Sequence, residues 1–241
     1  MRRSRGWRAT VLAGALAGTL GACGGGSNGA APTPVATPTP VPTPVLTPAR
    51  YRVTFDATWS AATHPVAFPP GPHFSDLIGG THSERAVFWE PGATASPGIE
   101  AMAEVGATSP LESEIRAAIA AGTAERLIRG GGINPSPGAV SAEFAISPDH
   151  PLVTLVAMIA PSPDWFVGVH GLSLIEDGSW VAEKTVTLPA YDAGTDSGTT
   201  YRAVNADTVP RERIHRIEGP PLVSGGMDTP LGTLTFARLS S

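Results

Sequence analysis

Residues 51–59 read Y-R-V-T-F-D-A-T-W, nine positions of unbroken alternation. Tyr51, Val53, Phe55, Ala57 and Trp59 fall on one face, with Arg52, Thr54, Asp56 and Thr58 on the other. A period of two over that length describes a strand with one buried face. Further strand-like runs follow at 86–89, 140–146, 152–159, 166–175, 180–188, 214–217 and 231–238, separated by turn residues. About eight strands without βαβ alternation predict an all-β, mainly antiparallel fold, a β-sandwich with one or two short helices in its connections.

The helices are expected in one place. Ser96-Pro97 provides a cap with proline at the first helical position, and Gly106 provides a stop. Ser109-Pro110-Leu111-Glu112 reads as a capping box, with Leu111, Ile115, Ala118 and Ile119 as the apolar stripe. Gly122 weakens that helix midway and Gly130-Gly131-Gly132 end it. Residues 60–83 read as loop. Asp177, between Glu176 and Gly178, is a hairpin turn joining the runs 166–175 and 180–188.

The N-terminal part is organised differently. Arg2, Arg3, Arg5 and Arg8 precede an apolar run of small residues from Ala9 to Ala22, too short to span a bilayer. This is the pattern of a secretory signal. Leu20-Gly21-Ala22-Cys23 resembles the bacterial lipoprotein box, which implies cleavage before Cys23, diacylglyceryl attachment to its sulfur and acylation (palmitate) of the new amine. More than one acyl chain suffices for stable membrane anchoring. Gly24 after the cysteine favours, by resemblance to Gram-negative lipoproteins, the outer membrane or cell surface. Residues 32–48 alternate proline with Thr and Val, which forbids sheet or helix and leaves extended polyproline II, roughly 50 Å of stalk at about 3.1 Å per residue. The chain thus divides into a signal peptide (1–22), a lipidated Cys23 with a Pro/Thr-rich stalk (23–49) and a β-sandwich domain (50–241). Cys23 is the only cysteine, so the domain is held by core packing without disulfides.

A net charge of −5 and the lack of a basic cluster beyond the first eight residues speak against a nucleic-acid partner. The chemistry instead gathers in residues 161–198. Asp164 lies in P-S-P-D-W-F-V-G (161–168), and Asp192 and Asp196 lie in Y-D-A-G-T-D-S-G (191–198). Carboxylates brought together repel unless a cation sits between them. Oxygen ligands on turn-forming loops suit a hard ion, calcium before magnesium, and suit zinc poorly. Gly194 lets the backbone turn so that Asp192 and Asp196 converge, and Pro161 and Pro163 stiffen the loop of Asp164. Aspartates in such loops also commonly bond their own backbone, and that alternative stays open. Trp165 and Phe166, beside this loop, are candidates for ligand or lipid contact, with at least one expected in the core. His64, His73 and His82 are spaced too widely for a zinc motif, and His64 and His82 are expected to bond buried loop backbone. There is no G-x-S-x-G elbow, and the triple glycine lacks the Lys-Ser/Thr of a phosphate loop.

These stretches carry a resemblance. Trp59-Ser60 with Thr63-His64-Pro65, Phe74-Ser75 with Ile78-Gly79 and Thr81-His82-Ser83, Ala95-Ser96-Pro97-Gly98, and the two Asp-bearing motifs run in the order found in the spondin N-terminal domain family (F-spondin/mindin-like) of animal matrix. The similarity covers about residues 51–218. It implies a β-sandwich similar to calcium-dependent membrane-binding domains, with calcium held by Asp164, Asp192 and Asp196. The chain is expected to depart from animal members in three ways: no cysteines in the domain, no thrombospondin-type repeats after it, and a lipid anchor. The expected function is a non-enzymatic, surface-displayed, calcium-binding module for adhesion or ligand recognition, with an unknown protein or glycan as partner and the membrane reached through the lipid at Cys23. The alternatives are a metal-dependent hydrolase of envelope polymers and a purely structural envelope protein.

Overall fold

The computed structural model describes residues 46–223 and 229–240. The expected signal peptide, Cys23 and the stalk up to residue 45 lie outside the described residues. The chain forms β1 (Ala49–Ala57), β2 (His73–Phe74), β3 (Ile78–His82), α1 (Pro97–Val105), α2 (Ser109–Ala120), β4 (Ala124–Arg129), β5 (Gly138–Ile146), β6 (Leu152–Ala160) and β7 (Trp165–Ser173). There follow β8 (Ile175–Glu176), β9 (Ser179–Trp180), β10 (Glu183–Thr187), β11 (Tyr191–Asp192), β12 (His215–Arg216) and β13 (Gly232–Arg238). One sheet has the order β10-β13-β1-β5 and the other β12-β11-β7-β6-β3-β4, with β2 also on β6. All of these pairings are antiparallel.

Alternation places β1 as expected: Tyr51, Val53, Phe55, Ala57 and Trp59 are all buried between the sheets, against Phe74, Leu155, Ile159, Trp165 and Phe236. A second core lies on the opposite face of the larger sheet. There Ile99, Met102, Leu111 and Ile115 of the helices pack on Val156, Met158 and Phe166. β6 therefore has both faces covered and is buried at eight of its nine positions, as a doubly covered strand must be. The molecule is a sandwich with a helical layer on one outer face.

Several local expectations give way. The second helix stops at Ala120, with Gly122 at φ +68°. Residues 124–129 pair with β3 as a strand, because the ladder on offer outweighs their helical preference. Ser109 is the first helical residue and Thr108 the cap, without a side-chain hydrogen bond. Glu112 accordingly pairs with Arg116 and Arg129 instead of closing a capping box. Residues 78–82, read as loop, form the central strand β3. A Cβ on Gly79 would lie 1.8 Å from the Thr154 carbonyl oxygen, so the apparent loop glycine marks close strand approach. Residues 86–89, read as a strand, are a loop that lays Trp89 on the larger sheet, against Phe166 and Tyr191. Asp177 does sit in a tight turn, φ +49° with Gly178 at +72°. The hairpin it closes is the short β8–β9 pair, however; the flanking long strands β7 and β10 belong to opposite sheets.

The strand directions fix two ends. β1 starts at Ala49 beside Ile146 and finishes at Ala57 beside Gly138. The 147–151 connection brings β6 into the facing sheet near Ala49, and β6 runs back toward the end of Ala57. Thr47, where the described chain begins its path into β1, accepts from Trp180 Nε1 at 2.7 Å at the first end. The β6–β7 connection, residues 161–164, lies at the other.

Candidate metal centre

The far end is assembled by strand pairing. β11 is hydrogen-bonded to β7 with Asp192 opposite Trp165, so the loop carrying Asp164 and the loop opening at Asp192 become neighbours. The turn before β7 is held by Ser162, whose Oγ accepts from Trp165 N at 3.1 Å. Asp164 is fully buried. Its Oδ2 accepts from the backbone N–H groups of Thr195 (2.8 Å) and Asp196 (3.1 Å) and from Thr195 Oγ1 (3.3 Å). Its Oδ1 is equally buried and has no partner.

The other two aspartates organise the loop itself. Asp192 Oδ1 accepts from Gly194 N at 2.8 Å and Oδ2 from Trp165 Nε1 at 3.2 Å. Gly194 has φ +73°, and a Cβ there would lie 2.7 Å from the Glu212 carbonyl group, so the position needs glycine. Asp196 Oδ1 accepts from Gly198 N at 2.7 Å and Oδ2 from Ala206 N at 2.9 Å, closing residues 197–206 into a side loop. The three predicted aspartates are thus brought together, and each also bonds loop backbone. The backbone-bonding alternative is what the structure displays.

Burial and mutual repulsion mark the electrostatics. Burial, followed by the charge of Asp192, pushes the Asp164 carboxyl up to about 6, against the pull of the Thr195 and Asp196 hydrogen bonds. Burial also raises Asp192, opposed by the Gly194 N–H, His215 and Trp165. Glu104, in the last turn of α1, is raised by burial and by the charges of Glu100, Asp164 and Asp196, with Thr195 hydrogen bonding in opposition. Sequence reading missed Glu104 and Thr195. An acid in the last turn of a helix, where the macrodipole disfavours it, was the available signal for the first.

Among the described residues, no three His, Cys, Asp or Glu side chains are grouped so as to hold a metal ion. A calcium ion takes six to eight oxygens, backbone carbonyls and water included. The donor chemistry fits that ion through one atom above all: Asp164 Oδ1, a buried carboxylate oxygen that nothing else satisfies. Asp192 and Asp196 retain lone pairs beyond the single hydrogen bond on each oxygen.

Trp165 and Phe166 are both core. Trp165 is 3% exposed and packs on Tyr201; Phe166 is 0% exposed and packs on Trp89 and Tyr191. Neither offers a ring face to a ligand, although Trp165 borders a cleft of about 340 Å³ that it shares with Asp192, Thr199, His215 and Glu218. His64 bonds Thr229 O and Thr63 Oγ1, and His82 bonds Ser83 O and Thr154 Oγ1, while His73 bonds Gly71 O.

Comparison with known proteins bears on the whole domain. The Spondin_N family model matches residues 49–221. The chain is 38% identical over 173 residues to Spondin-1 of Rattus norvegicus, covering 68% of this chain and 21% of that protein. It is likewise 38% identical to Spondin-1 of Homo sapiens. To Spondin-2 of Homo sapiens it is 34% identical over 196 residues, covering 80% of this chain and 58% of that protein. The chain thus spans less than two thirds of these relatives' own length.

Proposed function

The chain belongs to the spondin N-terminal domain family, and on that premise we propose that it is a lipid-anchored recognition module of the bacterial cell envelope whose far loops are ordered by calcium. Asp164, Asp192 and Asp196 supply the carboxylates, and neighbouring backbone oxygens and water complete the shell. The observation that carries this reading is the unpartnered, buried Oδ1 of Asp164 beside two further aspartates. Bound calcium would supply fixed positive charge where three loop carboxylates repel, locking the 161–164 and 192–206 loops together; it is a structural ion in this reading and performs no chemistry.

The anchoring half of the proposal rests on Cys23 and the proline-rich tract. A tether joined at Thr47 leaves the aspartate loops at the opposite end of the domain. Of the five large hydrophobic residues exposed among the described residues, Val66, Val105, Val204 and Val209 belong to segments at that same end. Exposed apolar groups beside a rigidified loop are what a binding surface for a protein or glycan ligand requires. The module would serve adhesion or recognition at the outer membrane or cell surface.

The proposal is tested by melting the full chain in chelator and in millimolar calcium, an extracellular site needing an affinity on the order of 0.1–1 mM. Calcium should raise the melting temperature, and Asp192→Asn should erase the rise. An identical melt in both conditions would reject the calcium half. A glycan and protein array that stayed blank in calcium would reject the recognition half.

A further inference from the structure

A cavity of about 200 Å³ opens on the outer face of the larger sheet, where the loop between β3 and α1 lies over β3, β6 and β7. Most polar groups of its floor satisfy one another. His82 Nδ1 stands 2.9 Å from Ser83 O, which can only accept, so the neutral imidazole carries its proton there. Nε2 then accepts from the Thr154 hydroxyl at 2.8 Å, and Thr154 Oγ1 accepts in turn from Gly171 N at 3.0 Å. One lining group is left over. Trp89 is 3% exposed, and its Nε1 is buried without an acceptor. The indole is not free to turn toward one. Phe166, His170 and Tyr191 hold it edge to face at 4.9, 4.9 and 5.0 Å between ring centroids, and a Cβ on Gly168 would lie 3.2 Å from its Cζ2. A buried indole N–H ordinarily finds a partner. The rim shows the converse deficit. Among the described residues, the exposed carboxylates of Glu84 and Glu90 make no hydrogen bond or ion pair, and no Lys or Arg lines the cavity.

A donor without an acceptor inside and carboxylates without a cation outside, with aromatic rings between them, describe the complement they need. It carries an oxygen at one end and a positive charge at the other, a few carbons apart. We propose that this cavity binds a small amino alcohol, whose hydroxyl oxygen accepts from Trp89 Nε1 and whose ammonium is held at the rim by Glu84 and Glu90. The carbons between lie against the Trp89 and His170 rings, where aromatic faces also favour a cation. Amino sugars and ethanolamine headgroups both present this group. The cavity shares no side chain with the aspartate loops, so the site is independent of the calcium proposal.

The test is a calorimetric titration of the full chain, in chelator, with glucosamine, with ethanolamine and with glucose as the uncharged control. One saturable site is expected for the amines. The tighter of the two tells whether the group belongs to a sugar or to a headgroup, and either order upholds the proposal. Glucose should bind at least about tenfold more weakly than glucosamine, having no charge to offer the carboxylates. Glu84→Gln combined with Glu90→Gln alters only exposed side chains, and should weaken amine binding about ten- to hundredfold. Trp89→Phe keeps a ring and removes the N–H, and should weaken it about tenfold. Because that variant also disturbs packing, the Trp89 indole N–H resonance of the wild type is followed as well, and it should shift as the site fills. No saturable heat with either amine would overturn the proposal, as would glucose binding as tightly as glucosamine. Unaltered affinity in the double glutamate variant, or an indole resonance unmoved at saturation, would also overturn it. All four outcomes leave the calcium proposal standing.

Discussion

The two ends of the sandwich solve opposite problems. At the end where the chain enters β1, polar groups find partners within the protein: Trp180 Nε1 bonds Thr47 O, Tyr51 OH bonds Val181 O, and Arg50 and Arg52 flank Glu143. Glu125 Oε2, near this end, makes no hydrogen bond but has His150 Nδ1 at 3.9 Å. At the other end, like charges are gathered and Asp164 Oδ1 is buried with, among the described residues, no partner and no cation beside it. Buried polar atoms in folded proteins are nearly always satisfied, so an exception needs a reason. The contrast teaches that the charge of Glu143 and Glu125 at the first end is balanced by cations of the protein itself, whereas at the second the proposed calcium ion would have to balance it.

Substitutions can break that comparison. The largest effect belongs to Trp180→Ala at the tether end. It removes a 5%-exposed indole from the core along with the Thr47 hydrogen bond, and should cost about 3–5 kcal/mol. Chemical denaturation should give the same loss with and without calcium; a loss that calcium repaired would mean that the two ends are not independent.

Asp164→Asn, at the far end, is next and opposite in sign. The folded-state carboxyl is raised from 3.8 to about 6, so the native state holds the proton more tightly than the unfolded chain does. Its contribution is fully present below pH 3.8 and is lost as pH rises through about 6. Above that pH the calcium-free protein carries a destabilised charge, on the order of 1–3 kcal/mol. Asparagine carries none, so the calcium-free variant should be more stable than wild type at pH 8 and should no longer respond to calcium. Gly194→Ala should cost about 1–3 kcal/mol through its positive φ and its collision with Glu212, and should weaken the calcium response without abolishing it.

The smallest effect sharpens the contrast through pH. His82, at the tether end, has its pKa lowered by burial. The unfolded chain therefore takes up the proton first, and the stability His82 provides is lost as pH falls below about 6.5. In calcium-free protein, amide protection relative to the intrinsic exchange rate should fall around 82–84 on acidification and fall around 192–196 as pH rises through about 6. Protection that changed in the same direction at both places would contradict the assignment.

How far the sequence exposes this structure depends on whether the deciding forces are local. β1 and its buried face are visible because alternation is a local property, and so are α1, with Ser96 accepting from Ile99 N and Gly106 at φ +66°, and the Asp177-Gly178 turn. β3 is hidden because Gly79 and Gly80 look like loop until β6 and β4 are known to press against them. β4 is hidden because A-E-R-L-I-R suits a helix and becomes a strand only beside β3. The helical layer turns the outward face of β6 into a second core, which no single segment discloses. At the site, Asp192 and Asp196 announce themselves by flanking a glycine turn. Their union with Asp164 follows from the pairing of β11 with β7.

The central claim is that a cation finishes the far end of this domain. Calorimetric titration of the full chain with calcium at neutral pH, wild type against Asp164→Asn, tests it directly. The account predicts one saturable site in the wild type, with a dissociation constant on the order of 0.1–1 mM, and no saturable heat in the variant. Absence of saturable binding in the wild type, or equal binding by Asp164→Asn, would contradict it.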